Sequence, residues 1–113
     1  MSRERLKGHL DLLLLSVLGG TPLHGYAVIV ALRERSGGAF DLPEGTVYPA
    51  LHRLEEAGLV TSTWTEVDGR RRRTYVLSRP GVAALAEERR QWHRFAGGIH
   101  AVVGSTPAGA VVV

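Results

Sequence analysis

PEGTVYPALHRLEEAGLVTSTWTEVDGRRRRTYVL, residues 43–77, is the stretch whose reading decides the fold. Val47, Ala50, Leu51 and Leu54 recur at the 3.6-residue period and predict a helix. It starts near Pro43 or Glu44: proline is tolerated at a first helical position, and a carboxylate suits the positive end of the helix dipole. Pro49 lies within the first turn or two, where a missing backbone donor costs little. Gly58 ends the helix, with Leu59 capping the apolar contact. Val60 to Val67 is rich in Thr, Val and Trp and predicts a strand. Asp68-Gly69 is a strong hairpin signal. Four consecutive arginines follow, and a second strand is predicted from Arg73 to Leu77, with Tyr75 and Leu77 on one face. A helix followed by a basic hairpin can put the helix in a DNA groove and the charged loop on neighbouring phosphates. A DNA-binding regulator is therefore the leading expectation.

Two more helices precede this unit. Leu6 to Leu18 has leucine at positions 10, 12, 13, 14 and 15, which leaves little polar face and predicts burial on most sides. Gly19-Gly20 ends it, and Thr21-Pro22 begins a tight connection. Tyr26, Ile29, Val30 and Arg33 mark a second helix from Gly25 to Ser36, stopped by Gly37-Gly38. After the hairpin, Ser78 can cap a last helix with Pro80 in its first turn. That helix runs through Ala83, Leu85 and Trp92 to about Val103, weakened at Gly97-Gly98. The expected fold is α+β, mainly α: a winged helix-turn-helix of three helices and a two-stranded wing, with a C-terminal dimerisation helix. The expected division is residues 1–78 as DNA-binding domain, 79–103 as dimerisation helix and 104–113 as a disordered tail.

Composition narrows the function classes. A chain of 113 residues, 44% of them hydrophobic, suits one compact domain with an appended element, and its small core makes self-association a plausible source of stability. Net charge is +3, from 14 basic and 11 acidic residues. That is mild, so the clustering of arginines at the hairpin says more than the total. Cysteine is absent, which excludes disulfides and cysteine-bound zinc. The apolar run Leu10 to Leu18 contains Asp11 and Ser16 and is too short for a membrane span. It is followed by no clean cleavage site, so the expected location is cytoplasmic. Histidines show no metal-ligand spacing: His93 and His100 could share a helix face, but no third ligand accompanies them. No cofactor is expected.

Each candidate residue has a plain alternative. Thr46, Tyr48, Pro49, His52 and Arg53 lie off the buried stripe of the third helix. As a recognition surface, Thr46 and Tyr48 can meet phosphate or a thymine methyl, and His52 and Arg53 phosphate or a guanine edge. Otherwise this is an ordinary surface helix with Tyr48 over the core edge. Arg70, Arg71 and Arg72 suit phosphate, since a guanidinium donates two hydrogen bonds at once. Arg73 is expected nearer the strand, and the bland reading is a solubilising edge. His24-Gly25-Tyr26 opens the second helix, whose N-terminus could hold a phosphate. Alternatively Gly25 serves close packing and Tyr26 is partly core. Leu85, Trp92, Phe95, Ile99 and Val102 form a near-heptad stripe that either packs on the first helix or joins two chains. Trp92 could anchor a dimer core or, paired across its axis, sandwich a flat ligand.

The segments LDLLLLSVL, TPLHGYAVI, LPEGTVYPALHRLEEAGLV and VDGRRRRTYVLS closely resemble the PadR family of bacterial transcriptional regulators. The resemblance runs over residues 6–86. His-Gly-Tyr at 24–26 and Gly-Thr-Val-Tyr-Pro-Ala-Leu at 45–51 are specific in combination. The chain is similar to the short subgroup, with one C-terminal helix. The resemblance implies a homodimeric winged-helix repressor of a double-stranded operator, often responsive to small aromatic or amphiphilic compounds. It also singles out Tyr48 as a recurrent feature of the third helix.

Competing functions fare less well. No Ser-His-Asp order, phosphate-cradling glycine loop or convincing carboxylate pair supports an enzyme. Glu55-Glu56 and Glu87-Glu88 are adjacent on helices and point different ways. A protein–protein adaptor that uses the winged fold without specific DNA binding is the alternative; a salt-dependent interaction with duplex DNA separates the two.

Overall fold

The computed structural model describes Leu6 and residues 8–104. The order is α1 (Leu10–Leu18), β1 (Leu23–His24), α2 (Gly25–Arg35), α3 (Glu44–Glu56), β2 (Val60–Val67), β3 (Arg70–Leu77) and α4 (Arg79–Val103). This is the expected mainly helical winged helix-turn-helix. Of the expected tail, only Gly104 lies among the described residues.

The core follows from the periodic positions. Leu14, Leu15, Val17 and Leu18 of α1 meet Val28, Ile29 and Leu32 of α2. Val47, Ala50, Leu51 and Leu54 of α3 complete the cluster, as their spacing predicts, and Val60, Tyr75 and Leu85 close it below the sheet. The rest of α3 is thereby left outside, so the helix is fixed by one stripe and free on the other.

Three expectations are corrected. The helix that ends at Leu18 starts at Leu10 and does not run unbroken from Leu6: Leu6 is itself helical, but Gly8 between them adopts φ +91°, a conformation in which a right-handed helix does not continue. The sheet has three strands in the order β1-β3-β2, because Leu23 and His24 pair with Tyr75 and Thr74. A two-residue strand has no periodicity to read. The third correction concerns the arginines. β3 starts at Arg70, not Arg73, with Val67 opposite Arg70 and every position paired through Val60 opposite Leu77. Asp68 (φ 52°) and Gly69 (φ 76°) both take positive φ, the geometry of a two-residue turn that matches strand twist. The turn ends at once, so all four arginines are held in the ladder and alternate between its faces.

The last helix is tied on at its start. Ser78 Oγ accepts the Gly81 N–H at 3.1 Å and donates to the Gly58 carbonyl at 2.6 Å. The Ser78 N–H donates to the Leu59 carbonyl at 3.1 Å. One serine thus caps α4 and joins it to the end of α3. Along α4, Leu85 is buried, whereas Trp92, Phe95, Ile99 and Val102 are exposed. The helix continues through Gly97-Gly98 without interruption.

Candidate nucleic-acid interface

The exposed side of α3, the start of α2 and the base of the wing surround one cleft of about 340 Å³. His24, Tyr26, Tyr48 and His52 line its helical side, and Trp64, Arg72 and Arg73 its sheet side. Residues far apart in the chain meet here because β1 pairs with β3, which brings His24 beside the arginine strand.

His24 is the N-cap of α2. Its Nδ1 accepts the Ala27 N–H at 3.2 Å, so the proton of the neutral ring sits on Nε2. Burial first, then the nearby Arg72 guanidinium, hold His24 below the usual histidine value, while Asp68 acts weakly the other way. The neighbouring Gly25 is where Tyr48 lies. A Cβ on Gly25 would be 2.8 Å from Tyr48 Cε1, so the glycine admits the ring. Close packing explains Gly25, and Tyr26 is 48% exposed, not partly core. Burial against α2 and the Glu44 carboxylate raise the Tyr48 hydroxyl above its usual value, so it remains a donor.

The wing arginines divide. Arg70 and Arg71 are exposed, Arg72 faces the cleft half-buried, and Arg73 is engaged with neighbours. Arg73 Nε donates to Ser62 Oγ at 2.8 Å, and its guanidinium stands 3.7 Å from Glu55 of α3. The Arg71 and Arg73 guanidiniums lie 5.2 Å and 5.5 Å from the centre of the Trp64 ring. Thr46 is half-buried, and Pro49 is exposed on the same helix.

Arg53 stands apart from the cleft. Its Nη1 and Nη2 donate to Asp11 Oδ1 of α1 at 3.3 and 2.8 Å. Contact with DNA would require it to leave that carboxylate. Trp64 and the role of Arg73 were not among the expected site residues. The signal was present in the hairpin: a two-residue turn at Asp68-Gly69 sets Trp64 opposite Arg73.

A second feature lies on α4. His9 packs edge-on to Trp92, ring centres 5.3 Å apart, and Phe95 lies 6.1 Å from Trp92. Trp92 is therefore half covered by its own chain. Phe95, Ile99 and Val103 continue the apolar strip beyond it around a shallow cavity of about 260 Å³. Among the described residues no group of three His, Asp or Glu side chains could hold a metal ion, and no helix is long and apolar enough to cross a membrane.

Comparison with known proteins places this geometry. Residues 14–87 match the model of the transcriptional regulator PadR-like family. The chain belongs to that family. The PadR-like family is one of transcriptional regulators, not of enzymes. A Mycobacterium tuberculosis relative, transcriptional regulator Rv3488, is 48% identical over 58 residues, 51% of this chain and 54% of that one. The match thus spans about half the length of that relative. Among solved structures, a PadR family transcriptional regulator from Eggerthella lenta is 30% identical with a TM-score of 0.76, over 91% of this chain and 88% of that one. A transcriptional regulator from Clostridium thermocellum is 25% identical with a TM-score of 0.79, over 88% and 95% of the two chains.

Proposed function

We propose that this chain binds duplex DNA in a sequence-dependent manner as a homodimer and represses transcription. The observation that carries the reading is the shared cleft: the exposed face of α3 and the arginine-bearing wing border one opening. With Thr46, Tyr48, Pro49 and His52 of α3 turned to the major groove, Arg70, Arg71 and Arg72 reach the flanking phosphates. His24 Nε2 and the Tyr26 hydroxyl add neutral donors at the N-terminus of α2. Arg53 contributes once released from Asp11.

Residues 1–78 form the DNA-binding unit in this reading, and residues 79–103 join two copies. The support for the dimer is the strip Trp92, Phe95, Ile99, Val102, which one chain leaves open to solvent. Two recognition helices must then stand about 34 Å apart to read successive turns of DNA. A small aromatic or amphiphilic effector bound beside Trp92 would relieve repression by favouring a different spacing. The working location is the cytoplasm. The test is anisotropy of labelled duplexes, comparing genomic fragments that co-purify with the protein against scrambled fragments, across salt concentrations. Selective, salt-dependent binding supports the reading; equal, negligible binding to both kinds of duplex rejects it in favour of a protein adaptor.

A further inference from the structure

Trp64 is 56% exposed on β2, an unusual place for a large aromatic side chain on a small domain. Its ring is nevertheless occupied. Arg73 stands directly opposite it in the ladder and Arg71 diagonally, positions from which long side chains reach the same neighbour. Both guanidiniums lie over the indole, within cation–π distance of its centre. Arg73 also carries the connection inward. It donates to Ser62, which donates in turn to Glu55 Oε2 on α3, and its own guanidinium faces the same carboxylate oxygen. A continuous chain of contacts therefore runs from Glu55 through Ser62 and Arg73 to Trp64, and from there to Arg71.

We infer that Trp64 is a positioning residue for DNA binding, a platform that presents Arg71 to a phosphate and locks the wing to α3. The inference rests on the DNA-binding reading above. Arginines at a hairpin tip sample many rotamers, and each must be frozen on reaching a phosphate. A guanidinium held over an indole by cation–π attraction is restrained beforehand. The attraction to the ring acts on the charge and takes up no carboxylate, so the five N–H donors of the guanidinium remain available to phosphate. Arg71 has no carboxylate partner among the described residues. Arg73 donates to Ser62 and is ion-paired with Glu55 at 3.7 Å, and it acts as a strut. The arrangement separates three tasks: Arg73 braces, Trp64 supports and Arg71 binds.

The experiment measures binding of a labelled genomic duplex, recovered by co-purification, to Trp64→Leu, Trp64→Tyr, Arg71→Ala and the Trp64→Leu/Arg71→Ala double variant. Trp64→Leu is expected to weaken binding about fivefold with an unchanged salt slope, because no phosphate contact is removed. Trp64→Tyr, which keeps an aromatic face, recovers most of that loss. In the Arg71→Ala background the Trp64→Leu change costs less than half as much. Wild-type affinity in Trp64→Leu, or an equal loss with and without Arg71, overturns the inference. A readout without DNA separates the two readings. Ring currents should move the Arg71 and Arg73 δ-protons upfield in the NMR spectrum of the wild type and not of Trp64→Leu. Ordinary shifts in the wild type remove the platform even if DNA binds normally. Upfield shifts in a protein that binds no duplex remove the DNA reading, and this inference with it.

Discussion

The ring of Tyr48 rests on the α-carbon of Gly25, leaving no room for a Cβ: one built there would lie 2.8 Å from Tyr48 Cε1. This packing sets where α3's outward tyrosine stands relative to the start of α2. Gly25→Ala must push the ring out, at a cost typical of overpacking, about 1 kcal/mol or more. DNA affinity should fall with it, because Tyr48 borders the cleft. In a Tyr48→Ala background the same change should cost little, since neighbours that touch are not additive. Thermal melts and duplex titrations of the four proteins decide this; additive losses would show that the two residues are not coupled.

Replacing Arg70, Arg71 and Arg72 by alanine should weaken binding to all duplexes alike. For every phosphate that is no longer neutralised, the slope of log affinity against log salt should flatten by about 0.9. Arg73→Ala should behave differently, because its side chain donates to Ser62 and pairs with the Glu55 carboxylate. It should lower stability and leave the slope almost unchanged. An equal change of slope from Arg73→Ala would move that residue into the set that touches phosphate.

Much of this arrangement is legible in the residues alone. The stripe Val47, Ala50, Leu51, Leu54 identifies the buried side of α3 because burial in a helix repeats every 3.6 residues. Asp68-Gly69 locates the hairpin because few other residues tolerate its positive φ angles. What the sequence hides is long-range pairing. Leu23 and His24 join the sheet through partners some fifty residues away, and no local pattern announces this. The pairing of Arg53 with Asp11 is hidden for the same reason. Trp64 is a different case. Its partnership with Arg73 follows by counting back from the turn, once the ladder is known to start at Arg70.

Ser78 holds two helices with one hydroxyl, and Gly81 sits where a Cβ would run into the Leu59 carbonyl. Ser78→Ala should cost about 1–2 kcal/mol, the range for removing a helix N-cap. Gly81→Ala should also destabilise, although alanine is the better helix former by roughly 1 kcal/mol. A melting temperature for Gly81→Ala at or above that of the parent would mean that α4 can slide along α3 freely.

The strip on α4 gives a test of the dimer. Phe95→Glu with Ile99→Glu places two charges on a face read as buried between two copies, so sedimentation should show a monomer. The winged domain should stay folded, because neither residue belongs to its core. Operator affinity should drop steeply once two half-sites are no longer read by one particle. Trp64→Phe leaves Trp92 as the sole tryptophan, whose fluorescence then reports the interface. Planar aromatic compounds that quench it should also lower operator affinity if that site relieves repression; quenching with unchanged affinity would reduce Trp92 to a dimer anchor.

The last prediction concerns pH. His24 caps α2 only while Nδ1 is unprotonated, since that atom accepts the Ala27 N–H. Burial and Arg72 lower its pKa in the folded chain from the usual 6.5, against a weaker opposing pull from Asp68. Between the lowered value and 6.5 the unfolded chain binds more protons than the folded one. Stability therefore rises with pH across that window. The contribution is fully present above about pH 6.5, declines as the pH falls towards the folded value, and levels off below it. His24→Asn supplies a side-chain oxygen that caps a helix without titrating in this range. Urea titrations between about pH 7.5 and 5, a range that brackets the histidine value, should show the wild type losing stability that His24→Asn keeps. The carboxylates and the other histidines are the same in both proteins, so the difference between the two curves isolates position 24. Parallel curves would mean that the cap survives protonation, with the ring turned so that another acceptor satisfies Ala27.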